Sequence, residues 1–564
     1  MALPNPFEDL EQMFPRDPRV YGSVFDIDRL GVVVGGSLSK GLVVKVDSGQ
    51  NIEELAVGRY VVVHGDNKRF FCMITDIVLD NTNPEIQSDP PDIADPFLRA
   101  VYSGTAAYGK IHMQPMLSID MTEARPTPKP VKTIPSHFQV VKNATVEEVN
   151  AVFGTEDEIH FNVGSPLELE ETTINLNLRR LVERSVGVFG KSGTGKSFLT
   201  RLLLAGTIFK NQAVSLIFDM HNDYGWEVVD ERGPRAKGLK QLFPEKISIC
   251  TLDPESSRRR KAPYDFEVKL GYDEIEPEDI AMLRETMGLS DAMIDAAHTL
   301  SKRWGKNWIG RLINATAEDI DDIEANTPTR AGTLAALQRR VQRFERWEFL
   351  VPQSTGDSVS QIMNMLADHK SVVLEFGRYG NSLEAYILVA NYLTRRIHER
   401  YVEQMEKALG DSAMEPPQLL ITIEEAHKFL DPKIAHQTIF GIIAREMRKY
   451  NVTLLIVDQR PSGIDEEVMS QIGTRVTALL DNEKDIAAVL TGISGASGLR
   501  EVLARLDTKQ QAIIMGHAVP MPVVVKTRTY DEEFYAAVTG SITGKPAVDP
   551  RKRLGNNGRE RRLR

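Results

Sequence analysis

Cysteine is almost absent from this chain of 564 residues. The only two, Cys72 and Cys250, lie in apolar runs that are typical of strands. This pattern excludes a disulfide framework and a cysteine-based metal site, and it predicts that both thiols pack in a core. We therefore expect a reducing, cytoplasmic setting.

Long apolar runs and a basic leader are also missing. The longest apolar runs, such as SLIF and TLLIV, suit buried strands and are far too short to span a membrane. The first residues, MALPNPFEDLEQMF, are acidic where a secretion signal requires basic residues. We expect neither a membrane segment nor a secretion signal.

The chain has no surplus of positive charge. Its formal net charge is -11 and its sequence pI is about 5.6. These values argue against a protein that coats nucleic acid with its whole exterior. They leave room for a local ring of Lys and Arg side chains that face phosphates while the exterior stays acidic.

The patterns of strands and helices divide the chain into segments. The first part holds short strand-like runs, such as GVVVGG and GRYVVVHG, separated by glycine turns, which predicts a small β-barrel. From about residue 185, near-continuous apolar strands alternate with helices, which predicts an α/β core with a parallel sheet covered on both faces. The predicted segments are the barrel at 1–135, the core at 136–262 and 370–540, a helical insertion at 263–369 and a basic disordered tail at 541–564.

The helical insertion carries a clear apolar stripe. Leu334, Leu337, Val341 and Phe344 recur at the spacing of one helix face. We expect this face to be buried.

The strongest chemical signal is the stretch GKSGTGKS, which matches the phosphate-binding pattern G-x-x-x-x-G-K-[ST]. It follows a predicted strand and opens a predicted helix, as its mechanism requires, because backbone N–H groups and the helix N-terminus together hold phosphate. Lys196 is expected to contact the β- and γ-phosphates of ATP, and the Ser197 hydroxyl to bind Mg²⁺. The candidate nucleotide-binding residues are Gly190, Ser192, Gly193, Thr194, Gly195, Lys196, Ser197 and Phe198.

Acidic residues end a second apolar strand in LLITIEEAHKF. A carboxylate at such a strand end can hold the Mg²⁺ shell and polarise the attacking water. We predict that Glu424 assists the metal and that Glu425 activates water. Adjacent strand residues point to opposite faces, so the backbone must turn there if both are to serve.

Two further strand and helix ends carry candidate catalytic groups. LLIVDQR ends a third strand, where Gln459 could hydrogen-bond the γ-phosphate or the attacking water. The helix IFGIIAREMRKYN ends in Arg445 and Arg448. Cations at a helix C-terminus need no functional reason; the sharper hypothesis is an arginine that reaches the nucleotide of a neighbouring subunit.

Taken together, GKSGTGKS, IFDMHNDY, ITIEEAH, AREMRKY and VDQRPSGIDEEVMSQIGTRV resemble the HerA ATPases of the HerA/FtsK group. The resemblance implies a RecA-like P-loop ATPase core with an N-terminal β-barrel and an inserted helical subdomain. It also implies a homohexameric ring that moves double-stranded DNA through a central channel. The implied partner is a NurA-like nuclease, or another defence effector, bound through the barrel.

The resemblance extends to individual residues. It implies that Asp219, in DMHNDY, stands at an acidic nucleotide-site position, although Met220, Asn222 and Asp223 depart from the family's pattern. Arg184 and Arg448 match basic positions implicated in nucleotide contact within or across subunits. Lys526 and Thr527 match a segment that closes over the nucleotide.

Other functions stay open at this point. One is a secretion or conjugation ATPase of the same P-loop group, and another is a ring that mainly organises an effector, with ATP as an assembly switch. Loops that follow parallel strands lie on the ligand side of a sheet, which makes Arg232, Arg235, Lys237 and Arg378 candidate DNA contacts. Ordinary solvated loops explain these residues equally well.

Overall fold

Two compact units make up the part of the chain that the computed structural model describes. The first comprises residues 1–152, 166–172 and 494–505, and the second 153–165, 173–493 and 506–564. The structure describes residues 29–90, 94, 101–102, 106–124, 126–167, 169–229, 235–354, 356–411, 414–436, 438–493 and 496–540. The predicted basic tail at 541–564 lies outside the described residues.

Seven antiparallel strands form the sheet of the first unit, in the order β2-β1-β7-β3-β4-β5-β6. A further pairing of β2 with β5 closes six of them into a barrel. The strands are β1 Arg29–Ser37, β2 Gly41–Val46, β3 Tyr60–His64, β4 Lys68–Asn81, β5 Ala107–Asp120, β6 Pro128–Pro130 and β7 Val140–Asn143.

Alternating side chains fill the barrel. In β2, for example, Leu42, Val44 and Val46 are buried and join Cys72, Ile111 and other apolar side chains in one core. Closure removes the open sheet edges that an isolated sheet of this size would expose. The predicted barrel is confirmed, and Cys72 is a free, buried thiol within it.

The predicted boundary of the barrel at residue 135 is wrong. β7 lies beyond it and hydrogen-bonds to both β1 and β3, so the barrel cannot close without residues 140–143. The helix Ala496–Ala504, which we assigned to the α/β core, also belongs to this unit and packs against β4. The other helices of the unit are the short Glu85–Ser88, the helix Val146–Phe153 and the 3-10 turn Ile52–Glu54.

A twelve-stranded sheet forms the centre of the second unit, in the order β15-β14-β18-β11-β19-β20-β10-β21-β22-β23-β8-β9. The strands from β15 to β21 in this order are parallel, whereas β22 and β23 run antiparallel. They are β8 His160–Pro166, β9 Ile174–Asn177, β10 Val186–Phe189, β11 Val214–Asp219, β14 Ile247–Thr251, β15 Phe266–Glu267, β18 Ser371–Glu375, β19 Leu419–Glu424, β20 Val452–Asp458, β21 Thr474–Thr477, β22 Gln511–Gly516 and β23 Val523–Thr527.

The parallel strands are apolar along their whole length because helices cover both faces of the sheet. Every residue of β10, β11, β18, β19 and β20 is buried. Helices of this unit outside the insertion are Leu178–Val182, Lys196–Phe209, Leu239–Leu242, Pro254–Arg260, Ser358–Ala367, Leu383–Ala408, Ile439–Glu446, Glu466–Gln471, Glu483–Leu490 and Glu532–Thr539. The predicted fold class is confirmed: the chain has an α/β RecA-like core and an N-terminal β-barrel.

Short 3-10 turns and two small sheets complete the unit. The turns are Tyr272–Glu274, Gly305–Asn307, Gln342–Arg346, Gly377–Asn381, Ala426–Lys428, Met447–Tyr450 and Pro461–Gly463. The small sheets pair β12 Val228–Val229 with β13 Arg235–Ala236, and β16 Leu270–Gly271 with β17 Leu350–Val351.

The helical insertion is narrower than predicted. Its helices are Pro277–Ala281, Arg284–Met287, Asp291–Trp304, Trp308–Ile313, Ala317–Asn326 and Ala331–Val341. β15 precedes them and hydrogen-bonds to β14 at the edge of the main sheet, so residues 263–267 belong to the core. The predicted apolar stripe from Leu334 to Phe344 is fully buried.

Candidate active site

The carboxyl ends of four adjacent parallel strands meet at one edge of the main sheet. Their register pairs Phe189 with Asp458, Val457 with Glu424, and Thr422 with Ile217. Polar groups that are far apart in the sequence are thereby aligned in a row, beside the loop that follows β10. In open α/β sheets this edge is where ligands bind.

The loop after β10 has the backbone of a phosphate cradle. Gly193 and Gly195 have φ angles of 77° and 90°, in the left-handed region that favours glycine, and Gly195 caps the N-terminus of the helix that follows. The Thr194 hydroxyl donates to the Lys191 carbonyl over 2.7 Å. Ser192 is exposed on the loop and Ser197 is half-buried in the first helical turn.

Lys196 turns back over this loop. Its Nζ donates to the Lys191 carbonyl over 2.9 Å. Burial lowers the pKa of Lys196, while the nearby carboxylates of Glu425, Asp458 and Glu424 act in the opposite direction. A partly desolvated ammonium of this kind is suited to pair with a phosphate that enters the cradle.

Glu424 is buried at the end of β19, and its two carboxylate oxygens differ. Oε1 accepts a hydrogen bond from the hydroxyl of Tyr224 over 2.7 Å. Oε2 has no hydrogen-bond partner among the described residues, and the nearest histidine nitrogen, His221 Nε2, is 4.0 Å away. Burial raises the pKa of Glu424 to about 8, the Tyr224 hydrogen bond opposes this, and the nearby carboxylates of Asp219, Asp223 and Glu425 add to it.

This lone buried oxygen fits a hard cation. Mg²⁺ is typically held by one or two protein oxygens together with phosphate oxygens and water, without a cage of protein ligands. Within the described ranges no group of three or more His, Cys, Asp or Glu side chains could hold a metal alone. Glu424 Oε2 and the Ser197 hydroxyl are oxygen donors of the kind that Mg²⁺ prefers.

The expected turn of the backbone occurs at Glu425. Its φ is 50° and its ψ 44°, an uncommon conformation for a residue other than glycine. Whereas Glu424 contacts Tyr224, Glu425 contacts Gln459, whose Nε2 donates to Glu425 Oε1 over 3.1 Å. The turn thus lets two consecutive carboxylates take different partners at one strand end.

The Asp458 carboxylate is hydrogen-bonded to His427, a contact that was not predicted from the sequence. Asp458 Oδ2 accepts from the backbone N–H of His427 over 2.7 Å and lies 2.9 Å from its ring Nδ1. Oδ1 accepts from the Arg460 N–H over 2.6 Å. These hydrogen bonds hold the ends of β19 and β20 together. The sequence contains one indication of them: EEAH and VDQR place His427 and Asp458 at the ends of two neighbouring strands.

Asp219 is buried at the end of β11 and organises the loop that follows. Its Oδ1 accepts from the Asp223 N–H over 2.7 Å, and its Oδ2 accepts from Tyr224 and Gly225 N–H groups over 2.9 and 3.3 Å. Burial raises the pKa of Asp219 to about 7, and the hydrogen bonds from Tyr224 and Asp223 oppose the shift. Both carboxylate oxygens therefore hold the backbone of the loop that carries Tyr224.

The predicted arginines lie at the opposite edge of the sheet. Arg184 precedes β10 and packs against Gly473. At about 3.3 Å per residue, it lies roughly 20 Å along the strand from Gly190. Arg445 and Arg448 end the connection that returns the chain to the amino end of β20. Arg445 donates to the His436 carbonyl over 3.4 Å, and the side chain of Arg448 lies outside the described part of the structure.

Lys526 and Thr527 end β23 on the cradle side of the sheet. The antiparallel pairings of β21 with β22 and of β22 with β23 bring this end towards the carboxyl end of β21. The chain then continues to Tyr530, whose ring meets the ring of Phe198 edge-on at 6.3 Å. Lys526 and Thr527 therefore lie on the side of the cradle away from Glu424.

Models of two known domains match the chain. "Helicase HerA, central domain" matches residues 161–397 and "HAS barrel domain" matches residues 30–125. A protein described as probable helicase MJECL08, from Methanocaldococcus jannaschii, is 32% identical over 64% of this chain and 69% of its own length.

The chain belongs to the HerA family of P-loop ATPases.

Other relatives of this HerA-type ATPase cover more of its length. The DNA double-strand break repair helicase HerA of Sulfurisphaera tokodaii is 24% identical over 89% of this chain and 93% of its own. That of Pyrococcus furiosus is 25% identical over 72% and 76%.

Solved structures also resemble this ATPase. VirB4 of Thermoanaerobacter pseudethanolicus is 12% identical, with a TM-score of 0.43 over 66% of this chain and 98% of its own. The conjugative coupling protein TrwB is 10% identical, with a TM-score of 0.44 over 72% and 95%. At these TM-scores the likenesses add nothing to the assignment.

Lys196→Ala should reduce ATP turnover by about 100-fold or more, because it removes the ammonium that lies on the cradle backbone and would stabilise the charge of the transferring phosphate. Steady-state phosphate release measures this. Lys433→Ala, which changes an exposed lysine of the same unit, should leave turnover unchanged. Wild-type turnover in Lys196→Ala would contradict the cradle assignment.

Proposed function

We propose that this HerA-type ATPase is a motor that couples ATP hydrolysis to movement along double-stranded DNA, in the repair of DNA ends or in defence against phage. The observation that carries the proposal is the alignment of Lys196, Gln459, Glu424 and Glu425 at one edge of the sheet. The names of the relatives, which are DNA double-strand break repair helicases, support DNA as the substrate.

In this proposal each group at the strand ends has one task. Backbone N–H groups of the cradle and Lys196 bind the phosphates of ATP. Ser197 and Glu424 Oε2 would hold Mg²⁺, which when bound neutralises charge that develops on the phosphates. Glu425 accepts a proton from the attacking water, and Gln459, already hydrogen-bonded to Glu425, orients that water.

We further propose a homohexameric ring. Arg184 precedes β10, and Arg445 and Arg448 belong to the connection that returns to the amino end of β20, so the backbone of all three lies at the edge of the sheet opposite the cradle. That arrangement supports a trans role, in which an arginine completes the site of the next subunit. Which of the three does so is the question that subunit mixing addresses.

The proposed DNA contacts lie elsewhere than on the Arg378 loop. Arg378 is paired with Glu348 at 2.6 Å and with Asp253 and Glu255 at 3.6 Å each. Lys237 is paired with Glu532 at 3.0 Å. These cations already have carboxylate partners, which weakens both as phosphate contacts, and Arg232 lies outside the described residues.

The barrel is the proposed docking site for a NurA-like nuclease or another effector. Its strand β4 exposes two consecutive apolar side chains, Val78 and Leu79, and the Leu79 side chain is 78% exposed. Consecutive strand residues point to opposite faces, so these two side chains are separate apolar contacts for a partner. The free thiols of Cys72 and Cys250 support a reducing compartment such as the cytoplasm for this assembly. No helix in the described part is both long and apolar enough to cross a membrane.

ATP turnover measured with and without linear duplex DNA tests the proposed function. We expect duplex DNA to stimulate turnover several-fold, and we expect single-stranded DNA to stimulate it less, because the proposed channel holds a duplex backbone. Equal turnover with every nucleic acid and with none would contradict the DNA motor. Preferential stimulation by single-stranded DNA would favour a conjugation-type ATPase, and turnover that depends on an effector alone would favour the scaffold ring.

Glu425→Gln should leave ATP binding intact and slow hydrolysis by about 10²–10⁴-fold, the usual contribution of a general base. Binding of a fluorescent ATP analogue and single-turnover hydrolysis separate the two effects. Glu446→Gln, an exposed carboxylate of the same unit, is the matched control. Normal hydrolysis by Glu425→Gln would show that another residue is the general base.

Mixing two inactive variants tests the trans arginine. Arg448→Ala and Lys196→Ala subunits, combined before assembly, should recover part of the activity, because some interfaces then pair an intact cradle with an intact arginine. Native mass with ATP should correspond to six subunits. A monomer in every condition, or no recovery at any ratio with Arg184→Ala, Arg445→Ala or Arg448→Ala, would contradict the ring.

A further inference from the structure

Two tyrosine hydroxyls hold Glu424 from different directions. Tyr224, on the loop after β11, donates to carboxylate Oε1 over 2.7 Å. Tyr386, on the helix Leu383–Ala408, donates to the Glu424 carbonyl over 3.1 Å and accepts from the Glu424 N–H over 3.0 Å. One tyrosine thus fixes the carboxylate of this residue and the other fixes its main chain.

Both tyrosines are held rigidly. Tyr224 and Tyr386 are fully buried. The ring of Tyr386 is packed edge-on between Phe376 and Phe429, at 5.2 and 5.4 Å. A hydroxyl that cannot rotate away restricts its acceptor to one position at little further entropic cost.

The loop that carries Tyr224 is tied to the cradle helix. The Arg201 guanidinium, from the second turn of that helix, donates to the carbonyl of Asp223, the residue before Tyr224. On its other side the loop is held by the Asp219 carboxylate, which accepts from the Tyr224 N–H. The position of the Tyr224 hydroxyl is therefore fixed relative to both the cradle helix and β11.

We propose that Tyr224 and Tyr386 are positioning residues that present the free oxygen of Glu424, Oε2, to the cation of the nucleotide. This inference rests on the proposed function in one respect, namely that Glu424 is a cation ligand. Because Tyr224 already donates to Oε1 and Oε2 has no partner among the described residues, Oε2 is the oxygen that the metal would take. Outer partners that orient a ligand in this way typically contribute 10- to 100-fold to metal affinity.

The test measures the affinity of the full chain for Mn²⁺, which serves as the probe cation. Mn²⁺ is titrated in the presence of a non-hydrolysable ATP analogue, and the free ion is followed by electron paramagnetic resonance. Tyr224→Phe removes only the hydroxyl, and we expect Mn²⁺ affinity to fall by about 10- to 100-fold. Affinity for the same analogue in EDTA should be unchanged. Tyr401→Phe is the matched control, because Tyr401 is buried on the same helix as Tyr386 and its hydroxyl has no partner among the described residues.

A double-mutant cycle separates positioning from a structural role. In a Glu424→Gln background, Tyr224→Phe should cause no further loss of Mn²⁺ affinity, since its only route to the cation is removed. A further loss of the same size, or wild-type affinity in Tyr224→Phe alone, would overturn the inference. If Tyr224→Phe does not fold, Tyr386→Phe decides by the same criteria.

Failure of the inference and failure of the proposed function are distinguishable. If Glu424→Gln retains wild-type Mn²⁺ affinity, the ligand assignment itself is wrong, and with it the proposed mechanism. If Glu424→Gln loses affinity and both tyrosine variants keep it, only the positioning roles are wrong. Neither result depends on DNA.

Discussion

The parallel register of β11, β19, β20 and β10 is the constraint on which the whole site depends. It places a glycine loop, a glutamine and two glutamates at one sheet edge, although they come from segments up to 270 residues apart in the sequence. Each strand is buried on both faces, so a shift of register would expose apolar side chains and misalign the polar ends together. The stability of the core and the geometry of catalysis are thus one requirement.

Burial of the Glu424 carboxylate at this edge is energetically unfavourable, and that unfavourable energy bears on the function of the site. Glu424 is desolvated, its pKa is raised to about 8, and one of its oxygens lacks any partner in the described structure. A buried polar atom without a partner is unfavourable, and a cation that enters with nucleotide would relieve it. The same desolvation strengthens every charge interaction made there. If the proposed function is right, this oxygen without a partner favours the nucleotide-bound state.

Local patterns in the sequence were sufficient to predict the phosphate cradle and the polar strand ends. GKSGTGKS follows a strand and opens a helix, as predicted, and the apolar ends of β19 and β20 placed Glu424, Glu425 and Gln459 at one edge. The turn at Glu425 was predicted from the alternation of side chains in a strand. Each of these inferences uses residues that are neighbours in the sequence.

Pairings between distant segments were beyond such patterns. Tyr224 and Glu424 are 200 residues apart, and nothing in the sequence near either indicates that their side chains meet. The same holds for Asp458 with His427, for β7 in the barrel, and for the helix Ala496–Ala504, which packs on β4. For Arg378 the local pattern was misleading. An arginine in a loop on the ligand side of the sheet is a candidate DNA contact, but three carboxylates already surround this one.

The most direct test of the central claim is a structure of the full chain with Mg²⁺ and a non-hydrolysable ATP analogue. The account predicts phosphates on the backbone N–H groups of residues 190–197, with the cation bound by the Ser197 hydroxyl and by Glu424 through Oε2. Phosphates bound elsewhere, or a cation held by other side chains with Glu424 still engaged only by Tyr224, would contradict it.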